Sequence, residues 1–121
     1  MVLSLDVELC LESLTEYDVI LVPVISPFVD SRAHAKQVLG SALSEVYVSV
    51  TLTEAAKRDP KGLYRDHYSG KLQGLVGVSE EVPYERPVNP DLKLDTEVSD
   101  AEACSLILFD YLIDRIQQPL E

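Results

Sequence analysis

Residues 17–25, YDVILVPVI, hold the longest apolar run of the chain, Val19 to Ile25, interrupted by Pro23. A continuous β-branched run without polar alternation is what a strand buried on both faces requires, and parallel sheets covered by helices use such strands. Residues 45–52, EVYVSVTL, form a second stretch of good β propensity, and LKLDT at 92–96 a shorter third. The segments around them are helical in pattern. Strands alternating with helices predict an α/β fold, a mostly parallel sheet with flanking helices in one domain over residues 1–121.

The helices are read from apolar spacing and capping residues. In 6–16, Val7, Cys10, Leu11 and Leu14 recur at helical intervals, although Val2 to Leu9 also alternates well enough for a strand. SRAHAKQVLGSA predicts a short helix with Ser31 as its cap and Gly40 near its end. Thr53 opens another at TEAAKRD, which Pro60 interrupts before a helical turn ending at Gly70. The clearest helix is 99–117, with Ser99 as cap, Glu102 in the capping-box position and a broad apolar side. Residues 71–90 hold Gly74, Gly77, Pro83, Pro87 and Pro90, the chemistry of a long loop.

Ten Lys and Arg against 21 Asp and Glu give a net charge of −11, which disfavours nucleic acid and anionic membranes as partners. Nothing approaches the ~20 apolar residues of a membrane span, and no signal-peptide pattern opens the chain, so a cytoplasmic location is expected. Met1 as an introduced start and Leu120-Glu121 as a junction would make the chain a segment of a longer protein. Cys10 and Cys104 read as buried free thiols, and no Cys/His cluster has metal spacing.

The basic residues are unevenly placed: six of the ten lie between Arg32 and Arg65. Ligands of open parallel sheets bind beyond the carboxyl ends of the strands. ISPFVDSR follows the first predicted strand and TEAAKRDPKGLY the second, so both basic loops are expected at one edge, with 58–80 as a lid over an anionic ligand. His34 reads as a surface or partner-contacting residue, His67 as a solvated imidazole, and Tyr64 and Tyr68 as packing the lid on itself.

ISPFVDSR, EVYV, RDPKGLY with its following glycines, and PYERPVNPDLKLDT occur in the order and at the spacing of the second half of adenylylsulfate kinase, and from about Val19 onward the chain resembles that family. The resemblance implies a P-loop nucleotide-kinase fold, here truncated, in the cytoplasmic pathway of sulfate assimilation. The implied activity moves the γ-phosphoryl of ATP to the 3′-hydroxyl of adenylylsulfate with Mg²⁺. It assigns Arg58, Lys61, Gly62, Tyr64 and Arg65 to the nucleotide lid. Ser26, Pro27, Phe28, Arg32 and Leu75 go to the adenylylsulfate side, and PYERP to the margin of the nucleotide pocket.

The chain departs from the family at points that bear on activity. No G-x-x-x-x-G-K-[ST] turn occurs in the 121 residues, nor does the family's early acidic-and-arginine motif. Ser49-Val50-Thr51 replaces a usual Asp-Thr-Pro, Leu75 an aromatic residue, and Gln73, Val76 and Ser79 a Lys, Thr and Asp. The expectation is a chain inactive alone, without catalytic or metal-binding residues of its own. A decayed regulatory nucleotide-binding or assembly module is the alternative. In the resembled fold the phosphate-loop strand lies between 17–24 and 45–52. Without it the two strands are expected to close on each other, to admit the amino-terminal VLSLDVEL, or to form a homodimer. The amino-terminal half of the parent protein is the other expected partner.

Overall fold

The structure, a computed structural model, describes residues 6–119. Helix α1 (Val7–Ser13) is capped by the Asp6 carboxylate, which accepts from the Leu9 N–H. It packs on α2 (Val29–Leu39), which a short 3-10 turn at Gly40–Ala42 continues. Strand β1 (Val46–Ser49) leads into α3 (Leu52–Arg58) and α4 (Leu63–Tyr68). After the long loop, β2 (Leu92–Asp95) returns beside β1 and α5 (Ala101–Ile116) closes the chain against β2.

The sheet has two strands in parallel, with Val46 opposite Leu92 and Ser49 opposite Asp95. Among the described residues the buried apolar ones are few: Cys10, Ala35, Leu94 and Cys104, with Pro27 the largest side chain wholly enclosed. Both cysteines are free and buried, as their apolar surroundings predict.

The first predicted strand does not form. Residues 17–25 run without regular structure, and Leu21, Val22, Val24 and Ile25 are exposed. A strand exists only through its ladder, and no described residue offers this segment a backbone partner. The expected closure of 17–24 on 45–52 is therefore absent, since β1 pairs with β2 alone. Residues 7–9 of the proposed replacement strand lie in α1, and residues 1–5 lie outside the described part.

Several caps differ from expectation. Helix α2 begins at Val29, not at Ser31, and the Val29 N–H donates to Glu85 Oε1 at 3.0 Å, a cap supplied from far along the chain. Thr51 caps α3 through the Glu54 N–H, two residues before the predicted Thr53. Asp100 caps α5 through the Ala103 N–H, because its carboxylate reaches the first turn where Ser99 lies one residue too early.

Candidate functional site

Because the two strands are parallel, their carboxyl ends share an edge. There Thr96 is locked to the end of β1: its N–H and Oγ1–H both donate to the Ser49 carbonyl, at 3.0 and 2.9 Å. Glu97 receives the Thr51 N–H at 2.8 Å and the Thr51 hydroxyl at 3.2 Å, which ties the start of α3 to the end of β2. Arg58, in the last turn of α3, donates from Nε to Glu54 Oε1 at 2.9 Å, and its other nitrogens donate to Oγ1 and the carbonyl of Thr96, both at 3.0 Å. The guanidinium is thus fixed at the mouth of a 570 Å³ cavity walled by Val48, Leu94 and Cys104, with Asp100 and Thr96 at its rim. An apolar wall beside an oriented, planar cation suits a flat ring bearing acceptor groups.

The RDPKGLY turn follows directly. Asp59 takes φ 24°, unusual for a residue with a side chain, and its carboxylate accepts the N–H groups of Tyr64 and Arg65 at 3.2 and 3.1 Å. It therefore organises the entry to α4. Gly62 sits at φ 69°, in the left-handed region that favours glycine, under the Arg65 guanidinium. Lys61 is exposed, with no hydrogen bond or ion pair among the described residues. His67 faces the Leu72 carbonyl through Nδ1 at 3.2 Å and has the Tyr68 ring edge-on.

The 26–32 loop is held by Arg32. Its guanidinium donates to the carbonyls of Ser26 and Glu85, stands 3.5 Å from the Glu45 carboxylate and lies 5.9 Å from the Tyr84 ring centre. The Glu85 N–H donates to the Pro27 carbonyl at 2.8 Å, and its side chain caps α2, so 26–29 and 84–85 form one unit. Within it Ser26 is buried at φ 41°, Pro27 is enclosed and Phe28 is partly exposed. Tyr84 stacks on Tyr47 of β1 at 6.4 Å and 20°. Burial pushes the Tyr84 hydroxyl above the usual tyrosine range; Arg32 pulls it down, while Tyr47 and Glu45 add to the rise.

The two basic loops therefore do not meet as expected. Arg32 is tied to Glu45 at the amino end of β1, whereas Arg58 is tied to Thr96 at the carboxyl end of β2. Ser26, Arg32, Tyr64 and Leu75 border one large groove, while Arg58 lines the smaller adjoining cavity. Lys61, Gly62, Arg65, Pro27 and Phe28 line neither. PYERP stands against the 26–32 loop. Sequence reasoning missed Asp59, Thr96 and Glu85 as organisers. The signals available were an Asp ahead of a Pro-x-Gly turn, and a Thr and a Glu beside loops already singled out.

The family model for adenylylsulphate kinase matches residues 8–95. The chain belongs to this family. It is 35% identical over 94 residues to the adenylyl-sulfate kinase of Clostridium kluyveri, a match covering 78% of this chain and 46% of that protein. With the adenylyl-sulfate kinase of Saccharomyces cerevisiae it shares 37% over 94 residues, covering 75% and 46%. The solved Mycobacterium tuberculosis APS kinase CysC, in complex with AMPPNP and APS, superposes with a TM-score of 0.66 at 35% identity, over 79% of this chain and 55% of that one. The chain spans about half the length of these relatives. The family assignment and the α/β fold with its parallel pair of strands thus agree with the resemblance read from RDPKGLY and PYERP.

Proposed function

We propose that residues 1–121 are the lid and acceptor-loop portion, the second half, of an adenylylsulfate kinase domain, and that they require a phosphate-binding segment from outside these residues. The observation that carries this is the Arg58–Thr96–Ser49 arrangement: it fixes a cation at the carboxyl edge of the parallel strands, beside the RDPKGLY turn. Ligands of this fold class bind at that edge. The AMPPNP and APS held by the mycobacterial relative give the ligand class, ATP as donor and adenylylsulfate as acceptor. In this reading Arg58 is a pre-set contact rather than a moving one, and Lys61 is the free cation that meets the phosphates.

Phosphoryl transfer depends on positioning and charge neutralisation. A lid supplies part of the second and little of the first. Among the described residues no cluster of three or more His, Cys, Asp or Glu is placed to hold a metal, and the 121 residues contain no glycine-rich turn ending in Lys-Ser or Lys-Thr. In this reading the Ser or Thr that would hold Mg²⁺ belongs to the phosphate-binding segment outside these residues, and no step is routed through the ion.

A cytoplasmic, sulfate-assimilating role follows from the family reading; among the described residues no helix is long and apolar enough to cross a membrane. The test is direct. The chain alone should show no turnover dependent on ATP and adenylylsulfate, and only weak ATP binding that Mg²⁺ leaves unchanged. Exposed contacts of this kind are worth about 1 kcal/mol or less each. Turnover by the chain alone, abolished by Lys61→Ala, or submicromolar ATP binding that survives loss of both Arg58 and Lys61, contradicts the proposal.

A further inference from the structure

Helix α5 is apolar on two sides. One side, with Leu108, Tyr111 and Leu112, borders the large groove. The other carries Leu106, Phe109 and Ile113, which are 61%, 59% and 39% exposed and line neither that groove nor the cavity beside Arg58. At the helical repeat these three lie about 100–160° around the axis from Leu108. Their spacing of three and then four residues is that of a coiled-coil seam. The charged side chains beside this row are acidic: Glu102, Asp110 and Asp114 are exposed, with no hydrogen bond or ion pair among the described residues. Arg115, the one basic residue of α5, is engaged with Ser41, Ser44 and Gln118.

An apolar row beside unpaired carboxylates narrows what can cover it. A β-strand laid along the helix would find no backbone partner there. An anionic membrane surface would be repelled by the carboxylates. A second copy of this chain would set the same carboxylates against each other, on two bodies of net charge −11, with no free cation on either helix. A helix with apolar residues at the same spacing and Lys or Arg beside them meets both features. Its side chains fill the spaces between Leu106, Phe109 and Ile113, and its cations reach Glu102, Asp110 and Asp114.

We propose that the exposed row of α5 is a docking surface for an amphipathic helix with basic flanks, supplied by a partner polypeptide. Complementary charge selects that partner and speeds its encounter, while the apolar row holds it. The inference does not rest on the reading above, because the row lies outside both cavities and a helix seated on it leaves them open.

The probe is a fluorescein-labelled synthetic peptide of about three heptads, with Leu at every a and d position and Lys at every e and g. Two controls carry Glu at e and g, or the first composition in scrambled order. Anisotropy with the full chain should show the first peptide binding at least about tenfold tighter than either control, and weakening as salt rises. Phe109→Asp should lower its affinity at least about tenfold, and Asp110→Lys, which leaves the apolar row intact, at least about threefold. Leu21→Asp, in the groove, should leave it unchanged. Circular dichroism checks that the variants fold. Equal binding of a control peptide, indifference to Phe109→Asp, or an equal loss in Leu21→Asp overturns the proposal. So does concentration-dependent dimerisation of the chain that Phe109→Asp abolishes, which would make a second copy the occupant. Displacement of the bound peptide by the portion of the Clostridium kluyveri enzyme that precedes the aligned 94 residues also overturns it, by assigning the row to the kinase domain itself.

Discussion

Arg32 joins stretches of chain far apart in sequence: the Ser26 carbonyl, the Glu85 carbonyl and the Glu45 carboxylate all converge on its guanidinium. The side chain is only 12% exposed, so its loss removes packing together with its charge-assisted hydrogen bonds. Arg32→Ala should cost about 1–3 kcal/mol in urea denaturation. Arg32→Lys should recover only part of this, because one ammonium cannot serve both carbonyls in the fork geometry. Unchanged stability in Arg32→Ala would show that the loop is held by Pro27 packing instead. Tyr84, against the same guanidinium, gives a pH signature. Its pKa is raised on folding, so the folded chain keeps a proton that the unfolded chain has lost. The stabilisation is complete below the unfolded pKa, about 10, and disappears as pH rises through the folded value. Urea midpoints of the native chain should therefore fall more steeply above about pH 10 than those of Tyr84→Phe. Parallel curves would contradict the burial of that hydroxyl.

At the scale of elements, the legible parts of the sequence are those whose partners lie within it. LKLDT and EVYVSV pair with each other, and Pro60 separates α3 from α4 as a proline between two helical patterns must. YDVILVPVI has the stronger strand composition yet forms none, because propensity describes what a segment tolerates and a ladder needs a neighbour. The caps failed for a related reason. Ser31 was read from local spacing, while the N–H at the start of α2 is taken by Glu85 from beyond the long loop. The same distance hid the site: RDPKGLY announced itself, but its anchor Thr96 is placed only by the sheet register. Amide exchange distinguishes these elements. Residues 18–25, without backbone partners among the described residues, should exchange close to unprotected rates, while the paired amides of β1 and β2 should be the slowest of the non-helical residues. Protection at 18–25 equal to that of β1 in the free chain would mean that the segment has found a partner unaided.

For the whole molecule, a parallel pair of strands with a handful of buried apolar residues among those described carries a substantial exposed apolar surface, part of it on the walls of one groove, with Leu21, Val24, Ile25 and Val48 among its members. The same groove is bordered by Ser26, Arg32, Tyr64 and Leu75. The net charge of −11 keeps such a chain dispersed while the groove is open. In the RDPKGLY turn Arg58 and Asp59 are each fixed by specific contacts, Arg58 to Thr96 and Asp59 to the Tyr64 and Arg65 N–H groups. The account therefore stands or falls on whether this half can complete a kinase. The most direct measurement is a coupled assay for ADP release on the chain mixed with the preceding portion of the Clostridium kluyveri enzyme, each component also assayed alone. The account predicts no turnover from either alone, turnover from the mixture that needs both ATP and adenylylsulfate, and a loss of at least about tenfold with Lys61→Ala, the size of a lost phosphate contact. Turnover by the chain alone, or a stable 1:1 complex that turns over nothing, would contradict it.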